Sequence, residues 1–246
     1  MKIGIFTVLY NDRPLDDVLK YVSGLGYEAV EIAAWKGSNH IDLDKILKGG
    51  ATAYKRTIEK HGLMISGLSN HLEGQMVLGP LDASTDDWFK GSPDQKVKYA
   101  MERMKKTAET AAALDVPVVN GFTGATNWGA WYIFPPAFEK TYEEGFKLLG
   151  ERWGEILDTF RQHGVKFAHE VHPQEQAYNI ETAEQAIKAL DGRKEFGFNF
   201  DPSHLVWQGI DPVVFIKKFS DRIYHAHAKD AELVKENLAT SGSIPT

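Results

Sequence analysis

Cysteine is absent from the 246 residues of the sequence. This absence excludes disulfide bonds and thiolate metal ligands, and it leaves the compartment open, with the cytosol as the default expectation. Long apolar runs are also lacking, because no stretch reaches the roughly 18 residues that a membrane-spanning helix needs. The first residues are typical of a β-strand rather than of a signal peptide. We therefore expect a cytoplasmic protein with no membrane partner.

An excess of basic residues is the third feature that is missing. The chain has 28 basic and 34 acidic residues and a net charge of -6, and the basic residues are scattered. No basic stripe can follow a phosphate backbone, so nucleic acid is not an expected partner. Hydrophobic residues make up 43% of the chain, which suffices for the core of one large domain. We expect residues 1–246 to form a single domain.

Apolar runs and helical patterns alternate along the chain. The predicted strands are residues 2–10, 28–33, 63–69, 116–122, 165–171, 196–200 and 223–228, and the predicted helices are residues 15–25, 41–61, 95–114, 138–163, 181–190 and 213–219. Residues 72–93 are polar, contain glycine and proline, and are predicted to be a loop. Strands that alternate with helices indicate a parallel sheet with crossover helices. Seven or eight such units favour a (β/α)₈ TIM barrel.

Chemically active side chains follow three of these strands. Glu170 ends one strand, Asp201 follows the next before Pro202, and His227 ends the last. The carboxyl ends of barrel strands carry active sites. Two carboxylates and one imidazole form a hard, oxygen-rich ligand set, so Mn²⁺ fits best, with Mg²⁺, Co²⁺ and Zn²⁺ as alternatives. The sequence therefore predicts a site for one divalent metal ion.

In order and spacing these residues resemble the xylose isomerase-like barrels of the sugar isomerase/epimerase superfamily, and the resemblance spans the whole chain. It implies one divalent metal held by Glu, Asp, His and a further Glu, of which Glu170, Asp201 and His227 match the first three. It also implies proton abstraction next to the carbonyl of a sugar or polyol ketone, giving an enediolate, with Glu170 as ligand and base. An inosose-type dehydratase shares this first step and stays an alternative.

Two further function classes remain open. Apurinic endonucleases share the barrel and the Asp-x-x-His motif, but they place a histidine at the end of the fourth strand, where residues 118–122 have none. A barrel that has lost its catalytic activity could serve as a binding or scaffold protein. The sugar, the choice among epimerisation, isomerisation and dehydration, and a homo-oligomeric state are not decided by the sequence.

Several side chains near the strand ends are candidate substrate contacts. The resemblance favours this role for His204, with a metal ligand or a group that orients a ligand as alternatives. His71 at the end of the third strand, His172 and Lys229 are further candidates. Glu31 and His225 face the same region, whereas His169 is expected to face the helices. For these residues, structural ion pairs or satisfied interior histidines are the competing interpretations.

An aromatic segment follows the fourth strand. It contains Trp128 and Trp131 within residues 128–134, and apolar ring faces stack on the C–H side of sugars. We predict that these tryptophans cover the substrate, with packing or an oligomer contact as the alternative.

The end of the chain lacks a strand signal. Residues 231–246 read as loop, so no eighth strand is expected. The resemblance places the fourth ligand and the second catalytic Glu on that strand. We therefore expect the chain to lack both, to be a piece of a longer protein, and to leave a gap between its first and seventh strands.

Overall fold

The computed structural model describes residues 2–129 and 138–242. In this part of the chain the strands are β1 (Gly4–Phe6), β2 (Ala29–Ala33), β3 (Met64–Ser69), β4 (Val118–Gly121), β5 (Lys166–Glu170), β6 (Phe196–Phe200) and β7 (Ile223–Ala226). All neighbouring pairs are parallel, and the strands follow one another in chain order. This confirms the predicted α/β fold with seven parallel strands.

Helices connect the strands. Within the described residues they are α1 (Leu15–Gly24), α2 (Leu43–Lys45), α3 (Ala51–Glu59), α4 (His71–Met76), α5 (Pro93–Ala113), α6 (Phe138–Gln162), α7 (Ile180–Ala189), α8 (Pro202–Trp207), α9 (Pro212–Phe219) and α10 (Lys235–Ser241). No helix in residues 2–129 or 138–242 is long and apolar enough to cross a membrane.

Two predicted elements near the amino terminus are wrong in length. The strand predicted over residues 2–10 ends at Phe6, and a 3₁₀ turn (Thr7–Tyr10) follows it. The Thr7 hydroxyl donates to the backbone oxygen of Glu31, so a side-chain hydrogen bond takes the place of a backbone hydrogen bond between β1 and β2 there. The helix predicted over residues 41–61 is broken between α2 and α3, because Gly49 adopts φ 102°, which a helix cannot accommodate.

Two segments predicted as loop contain helices. Residues 72–93 include most of α4, so His71 begins a helix instead of ending β3. The cause is local: the Asn70 side chain accepts a hydrogen bond from the backbone N–H of Glu73 and caps the helix. Likewise α10 forms in the region predicted as carboxyl-terminal loop, although none of its residues is buried.

The sheet curls but does not close. Among the described residues, β1 pairs only with β2 and β7 pairs only with β6. Even so, Glu31 on β2 hydrogen-bonds His227, which directly follows β7. Strands two and seven therefore approach each other across the interior, as in a half-barrel. The predicted gap between the first and seventh strands is present.

The main core lies between the sheet and the helices. Phe167 on β5 packs against Trp153 of α6 with ring centroids 4.3 Å apart, and Phe198 on β6 contacts Phe215 and Phe219 of α9. These rings are buried. They fix β5 and β6, whose carboxyl ends carry Glu170 and Asp201.

Candidate active site

Glu170 is the last residue of β5, lies among the residues at the carboxyl ends of the strands, and is buried. Its Oε1 is 3.2 Å from His204 Nε2, while its Oε2 is 2.8 Å from His227 Nδ1 and 3.4 Å from His71 Nε2. Burial alone would raise the pKa of Glu170, but hydrogen bonds to these three imidazoles hold the pKa well below its ordinary value. Glu170 is therefore ionised at neutral pH, as a metal ligand or a base must be.

Asp201 uses its two oxygens differently. Oδ1 caps α8 by accepting from the backbone N–H of Ser203 at 2.9 Å and from its hydroxyl at 2.6 Å. The buried Oδ2 accepts no well-aligned hydrogen bond from any described residue, and the Lys229 ammonium lies 2.7 Å away from it. Lys229 Nζ is also 2.8 Å from His204 Nε2. An ammonium cation therefore sits between a carboxylate and an imidazole.

Two groups of side chains in the described residues have the spacing of metal ligands. In each group the ligand atoms lie within 4.8 Å of one another: Glu170, Asp201 and His204 form the first, and Glu31, His225 and His227 the second. Carboxylate and imidazole donors suit a divalent ion. The Lys229 ammonium, 2.7 Å from the buried Asp201 Oδ2, shows that this position favours a cation, so the residues fit the metal that the sequence predicts.

The three predicted ligands are only partly grouped. Glu170 contacts His204 through Oε1 and His227 through Oε2. However, it is His204, three residues beyond Asp201 on α8, that completes the first group, whereas His227 falls in the second. The resemblance favours a substrate contact for His204, with a metal ligand as an alternative. The short helix α8, which turns its imidazole back towards Asp201, is not among the predicted helices.

Glu31 anchors the second group from β2. It is buried, its Oε1 accepts from the Ser69 hydroxyl, and its Oε2 is 2.9 Å from His227 Nε2 and 3.6 Å from His225 Nε2. Burial is the largest single influence and opposes ionisation, but the hydrogen bonds from His227 and Ser69 and the charges of His227 and His225 together lower the pKa of Glu31 to about 2. Conversely, burial opposes protonation of His227, yet Glu170 and Glu31 raise its pKa to about 10.

Asn199 on β6 is a site residue that sequence reasoning missed. Its Nδ2 donates to Glu170 Oε2 at 2.8 Å and lies 2.9 Å from His227 Nδ1, and its Oδ1 is 3.1 Å from His225 Nδ1. The alternation of side chains along a strand would have found it, because Asn199 stands two residues before Asp201 and shares its face.

A cavity of about 610 Å³ opens above these groups. Aromatic rings form part of its wall: Phe6 stacks on His227 with centroids 6.2 Å apart, and Trp35 and Phe122 meet the edge of His71 at 6.0 and 4.6 Å. Of the described residues that line it, Lys2 and Lys229 are the only lysines or arginines. The cavity thus joins apolar walls to a floor of carboxylates and imidazoles.

Trp128 belongs to the same region. Its ring stacks on His172 at 6.2 Å, and His172 packs against His204 at 4.1 Å. Burial lowers the pKa of His172 to about 4, so its imidazole is neutral, and its Nδ1 donates to the backbone oxygen of Pro173 at 2.8 Å. Trp131 lies outside the described residues. The site therefore reaches from β6 to the loop that follows β4.

A buried carboxyl group ties that loop to the loop after β5. Glu175 Oε2 accepts from the backbone N–H groups of Thr123 at 3.0 Å and Gly124 at 2.9 Å, and from the Thr123 hydroxyl at 3.2 Å. Its buried Oε1 accepts no well-aligned hydrogen bond from a described residue, and the Gln75 side chain lowers the pKa of Glu175 less than Thr123 and Gly124 do. Burial therefore dominates over the hydrogen bonds and raises the pKa of Glu175 to about 8.

His169 takes no part in the site. It is fully buried, its Nε2 is 3.0 Å from the backbone oxygen of Ala177, and its ring stacks on Phe196. Burial lowers its pKa to about 4. It is a neutral packing histidine, on the opposite side of β5 from Glu170, as the alternation of side chains predicts.

The family follows from a match over most of the chain. Residues 19–240 match the family described as xylose isomerase-like TIM barrel. The chain belongs to the xylose isomerase-like TIM barrel family. This confirms the resemblance drawn from residues 170, 201–204 and 225–227.

The chain is similar to proteins with different names. The chain is 25% identical over 262 residues to the uncharacterized protein YfiH of Bacillus subtilis, covering 100% of the chain and 78% of that protein. It is 30% identical over 100 residues to inosose dehydratase of Clostridium perfringens, covering 39% of the chain and 33% of the dehydratase. The crystal structure of the 3-keto-D-glucoside 4-epimerase YcjR from E. coli superposes with a TM-score of 0.68 at 15% identity, covering 94% of the chain and 79% of YcjR.

Proposed function

We propose that the chain is a divalent-metal-dependent sugar isomerase or epimerase that removes a proton next to the carbonyl of an unphosphorylated ketose or polyol ketone. The observation that carries the proposal is the position of Glu170, an ionised carboxylate between Asp201, His204 and His227 on the floor of the cavity. Membership of the xylose isomerase-like TIM barrel family supports an enzyme.

Glu170, Asp201 and His227 are the residues we assign to the metal. Bound there, the ion would polarise the substrate carbonyl and acidify the adjacent C–H. Glu170 removes that proton, and Asn199 holds its Oε2 in place at 2.8 Å. The two oxygens of Glu170 face different imidazoles, so one can bind the ion while the other meets the proton.

The other candidate residues bind the substrate in this proposal. His71, His172, His204 and Lys229 supply hydrogen bonds to its oxygens. The rings of Phe6, Trp35 and Phe122 offer apolar faces to its C–H groups. Because Lys229 is already paired with Asp201, no free lysine or arginine cluster is available in the described lining for a phosphate, which favours an unphosphorylated substrate.

Dehydration is the second candidate reaction. The observation that favours it is the 30% identity to an inosose dehydratase over 39% of the chain. A dehydratase also begins by removing the proton beside the carbonyl, and it then expels the neighbouring hydroxyl as water. Protonation of the leaving oxygen is then the added step, and His204 or Lys229 is positioned to donate that proton.

Solvent deuterium uptake tests both reactions at once. The chain is incubated in D₂O with Mn²⁺ and a panel of unphosphorylated ketoses and inososes, and loss of each C–H signal is followed by NMR. We expect at least one compound to exchange, chelation to stop the exchange, and the products to separate epimerisation from dehydration. Absence of exchange throughout the panel with Mn²⁺, Mg²⁺, Co²⁺ and Zn²⁺ would contradict the proposal.

Replacing Trp128 with alanine tests the predicted cover. We expect KM to rise about 2- to 10-fold, because a lost ring contact is worth roughly 0.5–1.5 kcal/mol. Trp128→Phe should restore most of the affinity, since a phenyl ring still stacks on His172. Metal affinity, measured by calorimetry, should stay at the wild-type value in both variants. Unchanged kinetics would assign Trp128 to packing.

A further inference from the structure

The orientation of the His227 ring is fixed on every side. Phe6 and His71 stack on it with interplanar angles of 22° and 24°. Its Nδ1 edge meets Glu170 at 2.8 Å, and its Nε2 edge meets Glu31 at 2.9 Å. The ring therefore cannot exchange its two nitrogens by rotation without breaking both contacts and the stacking.

The carboxylate of Glu31 is itself held in one position. It is buried on β2, and the Ser69 hydroxyl on β3 occupies its Oε1. Its Oε2 is consequently aimed at His227 Nε2, across the interior from β7. An ionised carboxylate only accepts hydrogen bonds, so the nitrogen that faces it must carry a hydrogen.

The hydrogen on Nε2 decides which nitrogen of His227 can bind a cation. A neutral imidazole has one N–H and one lone pair. When a cation displaces the second proton of His227, the remaining hydrogen stays with Glu31, and the lone pair belongs to Nδ1. That nitrogen already lies 2.8 Å from Glu170, the central carboxylate of the proposed metal site.

We propose that Glu31 is a positioning residue that fixes the Nε2–H tautomer of His227, so that Nδ1 becomes the metal-binding nitrogen. This inference rests on the metal site of the proposed function. Carboxylates that accept the second N–H of a metal-bound histidine orient the ring and make it a stronger ligand. Glu31 takes this role from the opposite end of the chain, 196 positions from His227.

The competing arrangement is a separate ion held by Glu31, His225 and His227, whose ligand atoms also cluster. It would require His227 to bind through Nε2. His225 Nε2 lies 3.6 Å from Glu31 Oε2, a separation that two ligands of one ion can have, so the contact between Glu31 and His227 has to decide between the two arrangements. The observed 2.9 Å contact to His227 is that of a hydrogen bond, which favours the positioning role.

Metal affinity and histidine tautomers test the proposal in the full chain. Mn²⁺ binding is measured by calorimetry for wild type, Glu31→Ala, Glu31→Gln and the control Glu73→Gln. Glu73 is equally buried, but its Oε1 accepts from the backbone N–H of Lys36 and the hydroxyl of Tyr99 and lies 3.6 Å from Arg103 Nε. We expect Glu31→Ala to weaken binding about 10- to 100-fold. Glu31→Gln should lose less, because its amide oxygen still accepts the N–H, and the control should match wild type.

The tautomer itself is read from ¹⁵N spectra of the Zn²⁺-bound protein. We expect a metal-bound Nδ1 and a protonated Nε2 for His227 in wild type and in Glu31→Gln. Wild-type affinity in Glu31→Ala, or a metal-bound Nε2 with two ions per chain, would overturn the proposal.

The experiments give one result if only the proposed enzyme activity is wrong and another if the role of Glu31 is wrong as well. Metal binding through Nδ1 without proton exchange on any substrate would overturn the enzyme activity and leave the role of Glu31 intact. A wild-type chain that binds neither Mn²⁺ nor Zn²⁺ would overturn both.

Discussion

Glu170→Gln is expected to abolish solvent deuterium exchange and to weaken metal binding. The substitution keeps the shape of the side chain but removes its negative charge from among His71, His204 and His227. A neutral amide cannot accept the substrate proton, and loss of a general base costs about 10²- to 10⁴-fold in rate. It is also a poorer ligand for a hard divalent ion.

The measurement combines NMR exchange rates with Mn²⁺ calorimetry at one pH. Glu73→Gln is the matched control, because it neutralises a buried carboxylate whose partners lie outside the proposed metal site. These partners are the backbone N–H of Lys36, the Tyr99 hydroxyl and the Arg103 guanidinium. We expect wild-type metal affinity and exchange in that variant. If Glu170→Gln exchanges substrate at the wild-type rate, Glu170 is not the base.

Glu175→Gln is expected to stabilise the protein progressively as the pH rises. In the folded chain burial raises the pKa of Glu175 from 4.5 to about 8. Between these values unfolding ionises the carboxyl group and releases a proton, so the wild-type free energy of unfolding falls as pH rises from 4.5 to about 8. A shift of this size corresponds to up to about 5 kcal/mol, and glutamine does not ionise.

Urea unfolding of wild type and Glu175→Gln at pH 5, 7 and 8.5 would measure the effect. The amide oxygen can accept from Thr123 and Gly124 as Glu175 does, so the loop contacts are kept. Other titrating groups contribute to both proteins, and the difference between the two curves isolates Glu175. Glu184→Gln, on the exposed side of α7, is the control for a general effect of charge. A constant difference between wild type and Glu175→Gln at all three pH values would contradict the assignment.

The regular part of the fold was accessible from the sequence. β2 and β6 are short buried runs bounded by polar or turn residues, and such runs have few alternative structures. The local exceptions depended on single residues. Asn70 caps a helix that composition alone does not indicate, and Gly49 breaks one that periodicity supports.

The candidate site was only partly accessible. Glu170, Asp201 and His227 each end or follow a strand, and the order of parallel strands brings such ends together. The role of Glu31 required distances between strands, because nothing local distinguishes a buried carboxylate that orients a ligand from one in an ion pair. How Trp128 reaches the site through His172 is likewise a property of packing, which sequence spacing does not encode.

The contact between Glu31 and His227 also has a consequence for folding. It closes a loop of 196 positions, whereas each neighbouring strand pair joins segments much closer in the chain. The entropy of closing so long a loop becomes tolerable only after the six successive strand pairings have brought the two ends together. The contact between Glu31 and His227, and with it the proposed tautomer of His227, therefore depends on the completely curled sheet. Local fraying of β7 would separate His227 from Glu31 and Glu170 while the core around Trp153 and Phe167 stays folded.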